Sequence, residues 1–193
     1  LPVAAFIWSV VLLRQWPTRL TLLGTLLSFL GLMLILSAGK PWQLLQIGFN
    51  RGDLIMVLAV LAWGLYSVLL RRWPVPVPGF TLLAAMLMCG VPLLLPFYLW
   101  ELNAHGSMPW SPQAFGAIGY TAVMASLVAY SAWNHGVRVL GPATASLFSY
   151  LMPIFASLLG ILLLGEHLHA YHLAGGALTF VGLLLATWQG RKA

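Results

Sequence analysis

The chain has 193 residues, of which 61% are hydrophobic and 6% are charged. Soluble domains carry about 25% charged residues, so this chain has too few to cover the surface of a water-soluble fold. Its formal net charge of +6 does not predict nucleic-acid binding, because the basic residues are scattered rather than clustered. The composition predicts an all-α polytopic membrane protein.

Seven apolar stretches follow one another along the chain, separated by charged residues or prolines. A helix needs roughly 20 apolar residues to cross a hydrocarbon core of about 30 Å. None of the stretches alternates with period two, so all are predicted to be helices. The predicted spans are Leu1–Leu13, Leu20–Ala38, Leu54–Leu70, Gly79–Trp100, Ala114–Val137, Ala143–Leu164 and Leu168–Trp188.

Basic residues are divided unevenly between the two ends of these spans. One side receives Lys40 and Arg51 alone. The other receives Arg14, Arg19, Arg71, Arg72, Arg138, Arg191 and Lys192. Because cytoplasmic loops carry the excess of Lys and Arg, the side with more basic residues, which includes the C-terminus, is predicted to be cytoplasmic.

The first two spans repeat the last two at an offset of 151 residues. Identical residues that are not leucine fall on one another as follows: Pro2 on Pro153, Ala5 on Ala156, Gly24 on Gly175, Phe29 on Phe180 and Gly31 on Gly182. Three spans precede the matching pair in the second copy, whereas the chain begins with a short first span at a Leu. Three further spans are therefore expected before Leu1, which makes ten helices in an inverted 5+5 repeat of the kind typical of secondary transporters.

Three motifs stand in order along the chain. The first is Gly52-Asp53-Leu54 followed by the sequence AWGLYS at 62–67, and the second is WNHGVRVLGPATA at 133–145. The third is the apolar run from Pro153 that ends in Gly165-Glu166-His167-Leu168. As an ordered set they resemble the EamA-type transporters of the drug/metabolite transporter superfamily. The chain departs from that family at Gln15, where a Glu is usual.

The resemblance implies how the chain is organised and where it resides. Residues 1–38 would be the last two helices of a truncated first EamA repeat, 39–52 a linker, 53–188 the second repeat with five helices, and 189–193 a cytoplasmic tail. A bacterial-type cytoplasmic (inner) membrane is expected. The expected partners are a small-molecule metabolite, the lipid bilayer and the absent N-terminal helices, with a homodimer as an open option and no nucleic acid.

Polar side chains on the spans predict a substrate cavity, because such side chains face the bundle or a water-filled space rather than lipid. They form stripes at helical spacing on two spans, and a tryptophan and a tyrosine on a third could line the same space. The candidate cavity-lining residues are Trp63, Tyr66, Ser126, Tyr130, Asn134, Ser146 and Tyr150. Pro153 is the candidate hinge or gate, because proline frees a backbone carbonyl and kinks a helix.

Simpler explanations stand beside these functional ones. Helix packing would account for the serines, membrane-interface anchoring for Trp63 and a static kink for Pro153. A ladder of small residues at four-residue spacing predicts a helix–helix contact; it consists of Ala117, Thr121, Ala125 and Ala129.

The distribution of charged residues favours uncharged substrates. No Asp, Glu, Lys or Arg lies near the middle of a predicted span, which argues against a carboxylate-driven pump. We expect a permease that exports or exchanges neutral or zwitterionic metabolites, such as amino acids, by alternating access. We expect no cofactor and no metal, because His167, His169 and His172 with Glu166 lack a further converging ligand. The alternatives are a membrane-embedded lipid-modifying enzyme and a non-transporting membrane subunit.

Overall fold

The computed structural model describes residues 1–40, 42, 48, 50–106 and 111–188. Within them the chain is helical and contains no β-strand. The helices are α1 (Pro2–Leu13), α2 (Arg19–Leu36), α3 (Arg51–Arg72), α4 (Gly79–His105), α5 (Pro112–Tyr120), α6 (Ala129–Leu140), α7 (Pro142–Leu147), α8 (Met152–Leu164) and α9 (Ala170–Trp188). A π-helical segment, Thr121–Val128, joins α5 to α6, and a 3-10 segment, Phe148–Leu151, joins α7 to α8. Half of the predicted linker and the predicted tail at 189–193 lie outside the described residues.

The prediction of an all-α polytopic membrane protein is confirmed. Six helical stretches of the described chain are long and apolar enough to cross a membrane, and α1 is a shorter apolar helix. The six stretches are Arg19–Leu36, Arg51–Arg72, Gly79–His105, Pro112–Leu140, Pro142–Leu164 and Ala170–Trp188. Helices suit these sequences because lipid offers no hydrogen-bond partner, so every backbone N–H and C=O must be satisfied within the segment.

Polar residues just outside the apolar runs fix where several helices begin. The Thr18 hydroxyl accepts a hydrogen bond from the Thr21 N–H at 3.2 Å before α2, and Ser111 does the same for Ala114 at 3.1 Å before α5. Before α3, the Asp53 N–H donates to Asn50 Oδ1 and the Asn50 N–H donates to the Asp53 carboxylate, which is a reciprocal capping box. These caps satisfy N–H groups that have no partner inside the helix.

The chain divides into two compact units. The first consists of Leu1–Arg72 together with the chain from Leu140 onward, and the second is Trp73–Val139. In the first unit α2 and α9 form the most extensive helix–helix contact. α1 lies against α3, where the Trp8 indole N–H donates to the Leu61 carbonyl at 3.0 Å. The second unit holds α4, which contains Pro92 and Pro96 within its length, and the long helical stretch from α5 to α6.

Candidate functional site

The span from α7 to α8 is broken near its middle. α7 ends at Leu147, and four residues of 3-10 helix follow before α8 begins at Met152. The Ser146 hydroxyl donates to the Ala143 carbonyl and the Ser149 hydroxyl to the Ser146 carbonyl, each at 2.7 Å. Pro153 stands at the start of α8 and has no N–H to offer the Ser149 carbonyl, which accepts from the Met152 N–H in the 3-10 pattern instead. A 3-10 stretch in the middle of a helix often marks a functional hinge or a sequence under strain.

Tyr150, a predicted cavity residue, is 4% exposed and lies within this break. Its ring belongs to a buried apolar cluster with Leu147, Leu183 and Ala186, and Phe6 and Leu32 pack against that cluster. The ring therefore packs the broken span against α9, and its predicted place in a substrate cavity stays a prediction. Ser146 is fully buried as well, and its hydroxyl is used within its own helix.

Trp63 and Tyr66 lie together on α3. Their ring centroids are 5.7 Å apart and both side chains are half-buried. Between them, Gly64 faces α1: a Cβ added to Gly64 would come within 3.0 Å of Ala4. The predicted pair is therefore placed on the helix that packs most closely against α1 in the first unit.

The second unit holds Ser126, Tyr130 and Asn134. Ser126 lies in the π-helical segment, whereas Tyr130 and Asn134 lie on α6, and Asn134 is buried. Ser126 also lines an open recess of about 370 Å³, together with Ala117, Ile118, Thr121 and Ala122. π-Helical turns occur frequently at functional sites, so the π segment and the recess agree in placing a candidate ligand contact at Ser126 and Thr121.

Within the described residues the small-residue ladder on this span is not covered by a neighbouring helix, and its contact with another helix stays a prediction. Ala117, Thr121, Ala125 and Ala129 are all exposed. Ala117 and Thr121 line the recess instead, because small side chains leave a depression on a helix surface when no neighbouring helix fills it.

The closest helix–helix contact lies between α2 and α9, and the sequence analysis did not identify it as one. A Cβ on Gly31 would come within 2.5 Å of the Gly175 carbonyl oxygen, and a Cβ on Gly182 within 2.5 Å of the Ser28 nitrogen. Gly24 is equally close to the Gly182 carbonyl. Glycine is therefore required at these positions, since any side chain would collide with backbone atoms. The signal was the spacing of small residues three and four apart on both spans.

Hydrogen bonds across this contact are reciprocal. The Ser28 hydroxyl donates to the Thr179 carbonyl at 3.0 Å, and the Thr179 hydroxyl donates to the Ser28 carbonyl at 3.4 Å. The two residues are 151 positions apart, which is the offset of the sequence repeat. Gly24 meets Gly182 while Gly31 meets Gly175, so α2 and α9 run antiparallel. Exchanging the two helices reproduces the same set of contacts, which is two-fold pseudosymmetry.

The helix ends follow the same offset. α1 ends at Leu13 and α8 at Leu164, and each is followed by a left-handed residue: Arg14 at φ 55° and Gly165 at φ 68°. The next N–H in the chain then bonds to the carbonyl six residues back, Gln15 to Ser9 at 3.2 Å and Glu166 to Gly160 at 3.3 Å. Both helices therefore end in the same way, with a left-handed residue that turns the next N–H back toward a free carbonyl of the last turns.

The histidines near α9 are placed beside one another but do not converge as metal ligands. His169 and Tyr171 are stacked with centroids 5.1 Å apart, and the His169 and His172 rings meet edge to face at 5.7 Å. Across the described chain, no group of three or more His, Cys, Asp or Glu side chains is arranged to hold a metal ion.

Comparison with known proteins identifies relatives that share most of the chain. The model of the EamA-like transporter family matches residues 50–188. The chain is 24% identical over 186 residues to the uncharacterized transporter YyaM of Bacillus subtilis, covering 96% of this chain and 61% of that protein. It is 26% identical to an uncharacterized transporter of Archaeoglobus fulgidus, covering 94% of this chain and 61% of that protein.

A third relative is named for its membrane. The uncharacterized inner membrane transporter YedA of Escherichia coli is 28% identical over 174 residues, with 86% of this chain and 53% of that protein covered. The chain thus spans between half and two thirds of the length of these relatives. No solved structure matches it. Because the family model covers more than half of the residues, and the apolar helices agree with it, the chain belongs to the EamA-like transporter family.

Proposed function

We propose that the complete protein is a permease that exports or exchanges small neutral or zwitterionic metabolites by alternating access. The observation that carries this proposal is the pseudosymmetric contact of α2 with α9. Two helices that correspond in sequence run antiparallel and make each contact twice, once in each direction. Alternating access uses such inverted halves, because the two conformations of the transporter are then built from the same contacts with the roles of the halves exchanged.

The proposed architecture is two repeats of five helices. Residues 1–38 would end the first repeat, 39–52 would link the repeats, and 53–188 would form the second. The family match over residues 50–188 supports the second repeat as one unit. The greater length of the relatives is consistent with three further spans before α1, which would complete the first repeat. An odd number of spans per repeat makes the two copies point in opposite directions, as α2 and α9 do.

The proposed orientation places the C-terminus in the cytoplasm of a bacterial-type cell. Arg14 and Arg19 between α1 and α2, and Arg71 and Arg72 at the end of α3, would then lie on the cytoplasmic side. The beginning of α9 would face outward. A relative named as an inner membrane transporter supports the cytoplasmic membrane as the location. Formation of a homodimer remains a prediction.

The proposed substrate class follows from the side chains available within the spans. In the described residues the three carboxylates stand at or near helix ends: Asp53 in the first turn of α3, Glu101 in the last turns of α4 and Glu166 after α8. The polar groups farther inside are hydroxyls and an amide. A fully charged substrate would need a counter-charge in the low dielectric of the membrane. Neutral solutes, and zwitterions whose charges are met by helix carbonyls and N–H groups, need none.

Two breaks in the spans, one in each compact unit, are proposed to have separate roles in transport. Ser126 and Thr121 at the π segment would contact the substrate, with Tyr130 and Asn134 further along the same span. Pro153 and the 3-10 segment would act as the hinge. In discontinuous membrane helices, backbone groups freed from the helix can bind substrate or ions. Ser146 and Tyr150 would support the hinge through packing. Trp63 and Tyr66, on α3, are proposed to line the substrate cavity.

Efflux of a labelled panel tests the proposal. Cells expressing the complete gene are loaded with neutral, zwitterionic, cationic and anionic metabolites, and loss of label is compared with vector-only cells. The variants Ser126→Ala and Asn134→Ala are compared with wild type at equal membrane abundance. Tyr130→Phe is matched by Tyr98→Phe, which removes the same hydroxyl from an exposed site on α4.

The expected result is faster efflux of one neutral or zwitterionic solute, lost or reduced about tenfold in Ser126→Ala or Asn134→Ala and unchanged in Tyr98→Phe. Loss of one substrate hydrogen bond accounts for that factor. Efflux no faster than in vector-only cells for every solute would contradict transport of this substrate class. Efflux that is unchanged in all site variants would remove these residues from the site.

A further inference from the structure

The N-terminus of α9 is capped by a histidine side chain. His172 is the third residue of the helix, and its Nδ1 accepts a hydrogen bond from the His169 N–H at 3.2 Å. In a capping box the third residue is usually Glu or Gln, and its side chain reaches back to the N–H of the residue before the helix. Imidazole can fill this role only while Nδ1 carries a lone pair, which means only in the neutral form.

Protonation of His172 would remove this cap. The imidazolium has N–H groups at both ring nitrogens, so Nδ1 becomes a donor facing another donor, the His169 N–H. A positive charge in the first turn of a helix is also repelled by the positive end of the helix dipole. Histidine is the side chain whose charge changes between about pH 5 and 8. The cap is therefore present while His172 is neutral and is lost when His172 takes up a proton.

Aromatic and basic residues lie around His172. The Tyr171 ring is 4.3 Å from the His172 ring, and the His169 ring is 5.7 Å away. A Cβ on Gly39, at the end of α2, would lie 3.3 Å from Tyr171 Cβ, which brings Lys40 next to this turn. His167 and Glu166 precede it in the loop from α8. The carboxylate of Glu166 lies against Gly160 of α8.

The pseudosymmetric counterpart of this cap does not titrate. Subtracting the offset of 151 from His169 and His172 gives Thr18 and Thr21 at the start of α2. There the Thr18 hydroxyl accepts from the Thr21 N–H at 3.2 Å, and the two hydroxyls are 3.0 Å apart. Because α2 and α9 are antiparallel, the two caps lie at opposite ends of the pair.

We propose that the His172 cap is a proton-sensitive device at one end of the α2–α9 pair. Uptake of a proton by His172 loosens the first turn of α9, where Tyr171 meets the end of α2, and leaves the Thr18 cap at the other end intact. The α2–α9 pair thus responds to pH through its cap at one end and not through its cap at the other. In the proposed topology the responsive face is the outer one.

Hydrogen exchange of the complete protein in lipid nanodiscs tests this proposal. Both faces are held at the same pH, so the outcome is independent of transport and of topology. Protection of the first turns of α9 and α2 is measured at pH 8.0 and 5.5, after correction for the intrinsic pH dependence of exchange. His172→Gln keeps an acceptor that does not titrate, and His169→Gln removes the neighbouring imidazole while leaving the backbone N–H in place.

In wild type and His169→Gln we expect protection of the first turn of α9 to fall about fivefold between pH 8.0 and 5.5, as for the loss of one cap. In His172→Gln it should stay constant, as should protection of the first turn of α2 in all three proteins. A pH-independent first turn of α9 in wild type would overturn the proposal. So would an equal fall in His172→Gln, or the disappearance of the fall in His169→Gln.

Discussion

The hairpin α1–α2 and the hairpin α8–α9 have the same backbone design and different side chains. Their helices begin and end within one residue of the positions that the offset of 151 relates, and their C-caps use the same hydrogen bond. Yet Arg14 occupies the left-handed position that Gly165 occupies in the second hairpin. What both hairpins keep is glycine on the face where α2 meets α9. The comparison shows that backbone contact restricts the sequence far more strictly than a helix cap does.

The difference has a direct physical cause. A cap needs one acceptor or one left-handed residue, and several side chains provide either at a cost of about 1 kcal/mol or less. At a backbone-to-backbone contact no side chain fits, because the neighbouring atoms belong to a helix that cannot yield locally. Close approach of this kind lets dispersion and hydrogen bonds hold membrane helices together where lipid removes the hydrophobic driving force.

Adding a methyl group at the α2–α9 contact should lower the free energy of unfolding more than any other change considered below. In Gly182→Ala the new Cβ would meet Ser28 backbone, so we expect a loss of about 3 kcal/mol in the free energy of unfolding. Gly31→Ala, at the equivalent site of the other helix, should lose a similar amount. Unfolding of the protein in mixed micelles by increasing SDS measures both.

Gly176→Ala is the matched control on the same helix. Its nearest neighbour, the Ile154 side chain, would be 4.0 Å from the new Cβ, and alanine favours a helix by roughly 1 kcal/mol over glycine. We expect Gly176→Ala to be neutral or slightly stabilising. If Gly176→Ala were as harmful as Gly182→Ala, the loss would come from glycine flexibility and not from the contact of α2 with α9.

Replacing either of the two left-handed C-cap residues should change the free energy of unfolding by an intermediate amount. Arg14 adopts φ 55° and ψ 29°, a conformation that costs a non-glycine residue roughly 1 kcal/mol. Arg14→Gly should therefore raise the free energy of unfolding by about that amount, and Gly165→Ala should lower it by about as much. Arg14→Ala removes the charge but keeps the Cβ, so it should leave stability nearly unchanged. A gain in Arg14→Ala equal to that in Arg14→Gly would attribute the effect to charge.

Much of the fold was predictable from the sequence, because the relevant signals are local. Continuous hydropathy located the spans, and coincidences such as Pro2 with Pro153 revealed the repeat. The positions of the helix breaks were harder to predict from the sequence. Pro153 signalled a kink, but no residue pattern signalled that Phe148–Leu151 would be 3-10 or that Thr121–Val128 would be π-helical. These depend on how the whole span is packed.

The sequence was least informative about which face of a helix meets a neighbour. The ladder from Ala117 to Ala129 and the set Gly24, Ser28 and Gly31 have similar spacing, yet the first is exposed and the second is the closest contact in its unit. Glycine distinguishes them physically, because it alone allows backbone to touch backbone. Tyr150 also shows this, since its stripe of polar neighbours did not predict that its ring packs in an apolar cluster with Leu183 and Ala186 of α9.

Removal of the reciprocal hydrogen bonds should lower the free energy of unfolding least. It tests whether the two symmetry-related bonds contribute equally. Hydrogen bonds between membrane helices are worth about 0.6 kcal/mol on average. Ser28→Ala and Thr179→Val should each lose about that amount in SDS unfolding, with Ser28→Ala the larger because its bond is 3.0 Å long and the other is 3.4 Å. The double variant should lose nearly the sum, since the two bonds share no atoms.

Thr25→Val provides the control for this last pair. The Thr25 hydroxyl bonds to the Thr21 carbonyl at 2.7 Å within its own helix, so its removal takes away a hydroxyl from α2 without touching α9. We expect a change within a few tenths of a kcal/mol, since such local bonds do little for helix association. An equal loss in Thr25→Val and Ser28→Ala would mean that the hydroxyls stabilise their own helices. The symmetry of the contact would then rest on its glycines alone.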